Sequence, residues 1–124
     1  MADIQAIAKQ FTDFYYTTFD TNRQGLQSLY RDHSMMTWEG SPIQGAAAIV
    51  EKITSLPFTK VQHKVTTLDA QPSSPTIPSL IVSVTGLLVI DDSENPLQFS
   101  QIFQLIPDGS SYYVYNDIFR LNYG

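Results

Sequence analysis

Cysteine is missing from all 124 residues. That removes disulfides, thiol nucleophiles and cysteine-ligated zinc, and it is compatible with a reducing compartment. Glycine is sparse: the six residues stand singly, with no Gly-rich loop ahead of a helix and no Gly-Lys-Ser/Thr, so no phosphate cradle is expected. There are two histidines, His33 and His63, and no carboxylate cage, so neither a metal site nor a cofactor is expected. Charge is thin at 15%, and 12 acids outnumber 7 bases for a net −5. A domain with a pI near 4.6 repels phosphate backbones, which argues against nucleic acid as a partner. Long apolar runs are lacking too. The longest, Leu80 to Ile90, is broken by Ser83, Thr85 and Gly86 and falls short of the ~20 residues of a membrane span. Met1 to Gln10 carries Asp3 and has neither a basic n-region nor an apolar core, so no secretory signal is expected. The expectation is a soluble, intracellular protein with no membrane partner.

What is present is a core. The hydrophobic fraction of 43% suffices for one domain spanning residues 1–124. So few charges on so small a domain leave apolar surface in need of a cover. The first third reads as helix, with Ile4, Ile7, Phe11, Phe14, Tyr15 and Thr18 on one face. Asp20, Thr21 and Asn22 supply stop chemistry, and a short second helix turns Leu26, Leu29 and Tyr30 inward. Ser34 to Glu39 reads as a short strand ending at Gly40. Gly45 opens a third helix with Ala46, Ile49, Val50, Ile53 and Leu56 inward, ended by Pro57.

From Val61 the period becomes two. Val61, His63, Val65 and Thr67 share a face. Asp69 to Ser79, with Pro72, Pro75 and Pro78, reads as a loop or irregular edge. Strands over Leu80–Ile90, Leu97–Ile106 and Ser111–Leu121 follow, joined by turns at Asp91–Pro96 and Pro107–Ser110. In the last strand strict alternation sets Tyr112, Val114, Asn116 and Ile118 on one face and Tyr113, Tyr115, Asp117 and Phe119 on the other. Helices followed by strands define an α+β fold with an antiparallel meander.

Three features have two readings each. Trp38 and Glu39 form either a packed rim or a binding edge. Asp91, Asp92 and Glu94 form either a solvated hairpin tip or a docking charge. A calcium loop is excluded, because Pro96 and Ile102 stand where it needs glycine and glutamate. His63, on an apolar strand face, is either a hydrogen-bonded core residue or, with Asp117, an acid–base pair of a small-molecule dehydratase or isomerase.

Several stretches resemble one family in order and spacing: Phe11-Thr-Asp-Phe-Tyr-Tyr16, Thr37-Trp-Glu-Gly40, Gln44-Gly-Ala-Ala-Ala-Ile-Val-Glu-Lys52, Phe99-Ser-Gln-Ile-Phe103 and Tyr115-Asn-Asp-Ile-Phe-Arg-Leu121. The family is nuclear transport factor 2, and the fungal members are the most similar. The resemblance implies three helices packed on a strongly bent antiparallel sheet, a cone with an apolar cavity, and a homodimer joined through the outer sheet faces. It implies a non-enzymatic carrier that binds the GTPase Ran in its GDP form and Phe-x-Phe-Gly repeats of nuclear pore proteins, working between cytoplasm, nucleus and nuclear pore.

The implied Ran site comprises Trp38 and Glu39 with cavity residues Leu56, Pro57, Val61, His63, Leu88, Ile90, Leu97 and Phe119. Asp91 and then Asp92 or Glu94 would supply its acids. For the pore repeats the resemblance points to Ile4, where the family has an exposed aromatic, with Ile7, Gln71 and Pro72 beside it. For the dimer, parity adds Val114 and Asn116 to Ile118. The enzyme of the same fold using His63 and Asp117, and a plain dimerisation module, remain as alternatives.

Overall fold

The computed structural model describes residues 3–56, 60–91 and 94–122. Helix α1 spans Ile4–Thr21, and its start is fixed by Asp3, whose carboxylate accepts from the Ala6 amide at 3.2 Å. Its buried stripe is Ala8, Thr12, Tyr15, Tyr16 and Phe19, a spacing of one helix face. This stripe is rotated from the expected one. Ile4, Ile7 and Phe11 are only partly buried, and Phe14 is 52% exposed. Two polar members made the true stripe hard to see. Thr12 bonds back to the Ala8 carbonyl, and the Tyr16 hydroxyl donates to Gln101, so both enter the core satisfied.

A 3-10 helix, Arg23–Leu29, stands where the second helix was expected, and Tyr30 already begins strand β1, Tyr30–Trp38. Strand β2, Ser41–Gln44, was not foreseen. Helix α2, Ala46–Thr54, starts at Gly45 and buries Ala46, Ile49, Val50 and Ile53. The remaining strands are β3 (Val61–Pro72), β4 (Leu80–Ile90), β5 (Leu97–Asp108) and β6 (Ser111–Asn122). Residues 69–72 extend β3 in register with β4 rather than forming loop. They lie on an edge strand, where Pro72 forfeits no interior ladder bond.

The sheet order is β2-β1-β6-β5-β4-β3. All neighbours are antiparallel except β1 and β6, which run parallel. The sheet curls into a cone around a core that includes Tyr15, Phe99, Phe103 and Phe119. Two bulges help it bend. In β3 the register slips at Thr66, where Gly86 opposes Val65; a Cβ on Gly86 would lie 2.3 Å from the Lys64 carbonyl oxygen. The slip turns Leu68 and Ala70, rather than Thr67, toward the core.

In β6 the slip falls at Tyr115, since Gln104 faces Asn116 while Leu105 faces Val114. Strict alternation therefore fails. Val114 is fully buried on the same side as Asp117 and Phe119, so it is a core residue and not part of an outer dimer face. Asn116 and Ile118 remain outward.

Candidate functional site: the mouth of the cone

Register gathers the candidate residues at one end of the sheet. Val61 pairs with Ile90, Leu88 with Leu97, and Gln101 with Phe119, which in turn pairs with Trp38. Phe19, Trp38, Phe119 and Phe99 form a column of nearly parallel rings, with successive centroids 6.3, 4.1 and 5.6 Å apart. Arg23 lies over the Phe19 ring at 5.8 Å. Leu56, just past α2, is partly buried against the hydrophobic core. Pro57 and Asp92 lie outside the described residues.

Glu39 occupies a left-handed conformation with φ 51°, uncommon for a residue bearing a Cβ. Its amide donates to the Phe119 carbonyl at 3.1 Å, and its Oε1 accepts from the Leu121 amide. The half-buried carboxylate thus closes the end of the β1–β6 ladder, and its other oxygen has no partner among the described residues. Asp91 does similar work across the rim, also at φ 51°. Its amide donates to the Lys60 carbonyl at 2.7 Å, and its Oδ1 accepts from the Lys60 amide at 2.8 Å. Glu94 is exposed in the turn that follows.

His63 is held by a residue that sequence reasoning missed. One Asp20 oxygen lies 2.7 Å from Nδ1, and the other accepts the His63 amide at 3.0 Å. A carboxylate only accepts, so Nδ1 carries the hydrogen. The imidazole stacks on Tyr16 at 4.5 Å and meets Phe19 and Phe99 edge-on at 4.9 and 5.4 Å. His63 is thus the hydrogen-bonded core residue of the first reading, and the alternative His63–Asp117 pair does not form. Asp117 instead accepts from the Tyr30 hydroxyl (2.7 Å), Gln101 Nε2 (2.7 Å) and the Tyr15 hydroxyl (3.2 Å).

Burial pushes the Asp117 carboxyl up to about 6, against the pull of those three donors. Burial, reinforced by the nearby Asp117 charge, raises all three phenols, Tyr15, Tyr16 and Tyr30, well above the usual range. This is a satisfied core network: among the described residues no buried side-chain nitrogen or oxygen lacks a partner. In the sequence Asp20 read only as a helix stop, and its partner lies 43 residues away.

The far end of α1 carries a second feature. Ile4, Ile7 and Pro72 line one surface cavity of about 350 Å³ together with Ile77, Leu80 and Tyr112. Gln71, exposed on the edge strand, lies outside that lining. Ile81, Ile102, Ile118 and Tyr115 leave an exposed apolar patch on the outer sheet face.

An α+β cone with a buried aromatic column and two carboxylates toward one end, and a sealed polar core, is the class of protein defined so far. Residues 7–121 match the nuclear transport factor 2 domain. Nuclear transport factor 2 of Candida glabrata is 62% identical, covering 98% of this chain and 96% of that protein. The structure of nuclear transport factor 2 from Cryptosporidium parvum is 46% identical and superposes with a TM-score of 0.86, covering 98% of this chain and all of that one.

The chain belongs to the nuclear transport factor 2 family, and the curated relatives similar to it carry the name nuclear transport factor 2. A putative scytalone dehydratase from Novosphingobium aromaticivorans also superposes, with a TM-score of 0.76 over 94% of this chain and 83% of its own. At 13% identity that likeness concerns the fold alone.

Proposed function

We propose that this chain, as one domain over residues 1–124, carries the GDP form of the GTPase Ran into the nucleus. It does so as a homodimer that makes weak contacts with Phe-x-Phe-Gly repeats of pore proteins, moving between cytoplasm, nucleus and nuclear pore. The observation that supports this reading is the aromatic column toward the end of the sheet that also carries Glu39 and Asp91, in a chain 62% identical to a named nuclear transport factor. An apolar anchor ringed by charge is the usual build of a protein docking site: the aromatic centre supplies affinity, and the acids select a basic partner and steer it in.

Here Trp38 and Phe119, with Val61, Leu88, Ile90 and Leu97, receive an aromatic side chain of the partner. Glu39, Asp91 and either Asp92 or Glu94 meet its basic residues. The groove at Ile4, Ile7 and Pro72 takes the phenyl rings of the repeats. It is apolar and lies at the end of α1 away from the mouth, so both partners are held at once. Ile118, Asn116 and the exposed isoleucines beside them form the two-fold interface.

Retention on immobilised protein tests the reading: Ran loaded with GDP should be held, and Ran loaded with a GTP analogue should pass through. Equal retention of both, or of neither, would overturn it.

A further inference from the structure

Asp20 sits in the last turn of α1, a turn with no basic residue. A negative charge there opposes the helix dipole, so it does not serve the helix. Its carboxylate is instead spent entirely on His63, taking the backbone amide with one oxygen and the ring with the other. The His63 side chain is only 2% exposed. The ring touches both ends of the mouth column edge-on, Phe19 and Phe99, and these flank the Trp38–Phe119 stack. A turn of the imidazole therefore displaces two of the four rings against which a guest would pack.

We propose that Asp20 is a positioning residue for guest recognition. Its carboxylate fixes His63 in the Nδ1–H tautomer and in one plane, and so holds the aromatic mouth in its receiving geometry. The inference rests on the proposed docking of the GDP-loaded GTPase at that mouth. It adds a residue that need not touch the guest, in the way that an outer partner orients a histidine ligand.

Asp20→Asn is isosteric, keeps an oxygen for the His63 amide and can present an N–H to Nδ1, which favours the Nε2–H tautomer. Ring nitrogen NMR shifts of His63 report that change, and titration with Ran-GDP reports affinity. The expected results are a tautomer shift and about tenfold weaker binding, with unchanged circular dichroism. Asp20→Ser, which keeps an acceptor for the backbone, should weaken binding similarly and guards against a folding failure of one variant.

In a His63→Phe background, where a ring remains but both nitrogens are gone, Asp20→Asn should cost nothing further. Wild-type binding that Asp20→Asn leaves intact, or an equal loss in the His63→Phe background, overturns this inference alone. A wild-type chain that does not bind Ran-GDP overturns the proposed function and this inference with it.

Discussion

Asp117→Asn should abolish a pH dependence of stability that runs opposite to ordinary acid denaturation. Asp117 is fully buried beneath α1, and its carboxyl is raised from 3.8 to about 6. Between those values the folded chain binds a proton that the unfolded chain has lost. Stability from this group is therefore fully present below pH 4 and is lost as pH rises through 6. Two units at about 1.4 kcal/mol each give roughly 3 kcal/mol. The loss falls short of the full cost of burying a charge because Tyr15, Tyr30 and Gln101 all donate to the ionised form.

Asparagine holds no titrating proton, so the wild type minus the variant isolates the term from every other carboxylate. Urea unfolding of both proteins at pH 4, 5, 6 and 7, at one protein concentration because assembly adds to apparent stability, measures it. The difference should shrink by roughly 2 to 2.5 kcal/mol from pH 4 to pH 7 in the wild type's disfavour, part of the term being already lost at pH 4. A difference that is flat or grows with pH would refute the reasoning.

Glu39→Lys should abolish Ran-GDP retention, because losing a charge pair in a partly dry interface costs ~2–5 kcal/mol; pull-down of the folded variant checks it. A modest drop in melting temperature should accompany it, since Oε1 also caps the Leu121 amide. In the proposed homodimer, Ile118→Glu would set two buried carboxylates near the two-fold axis, each costing several kcal/mol. Sedimentation equilibrium should then show a monomer of 13.9 kDa or a markedly weakened dimer. Ile4→Asp should reduce retention on Phe-x-Phe-Gly repeats and leave Ran-GDP binding unchanged, as measured on the same immobilised protein; survival of repeat binding would move that patch elsewhere.

The two-residue period over Leu80–Ile90 revealed β4, because one face is buried while the other carries Ser83 and Thr85. The helix around Ile49 and Ile53 was legible for the same reason: a single apolar stripe has to be covered. Strand β2 escaped notice because Ser-Pro-Ile-Gln has little apolar patterning, and only its pairing with Met35–Trp38 makes it a strand. The parallel contact between β1 and β6 joins segments some 80 residues apart, and nothing local marks it.

The candidate site divides in the same way. Trp38, Glu39 and Phe119 stand in the stretches that carry the resemblance, while Ile4 was reached from the place of a family aromatic, with Ile7 as its neighbour. Val114 was misassigned because a bulge at Tyr115 adds one residue to β6, and an added residue exchanges the faces of everything before it. That His63 is a hydrogen-bonded core residue was one of two readings of the sequence, but its partner Asp20 was not legible, since Asp20 and Asp117 look alike as residues and only the packing of α1 across the sheet tells them apart.

By itself, then, the sequence determined the side chains and their local periods: which segments become helix or strand, how acidic the surface is, and which residues are apolar enough to line a mouth. These are properties of residues and near neighbours, fixed by steric preference and by transfer from water. Tertiary structure decided what each carboxylate is for. Glu39 caps the β1–β6 ladder, Asp91 extends the β3–β4 ladder at its open end, Asp20 accepts from His63, and Asp117 gathers three donors in the core. A carboxylate's role depends on desolvation and on donors within about 3 Å, and those are set by residues distant in sequence that meet only when the sheet curls around α1.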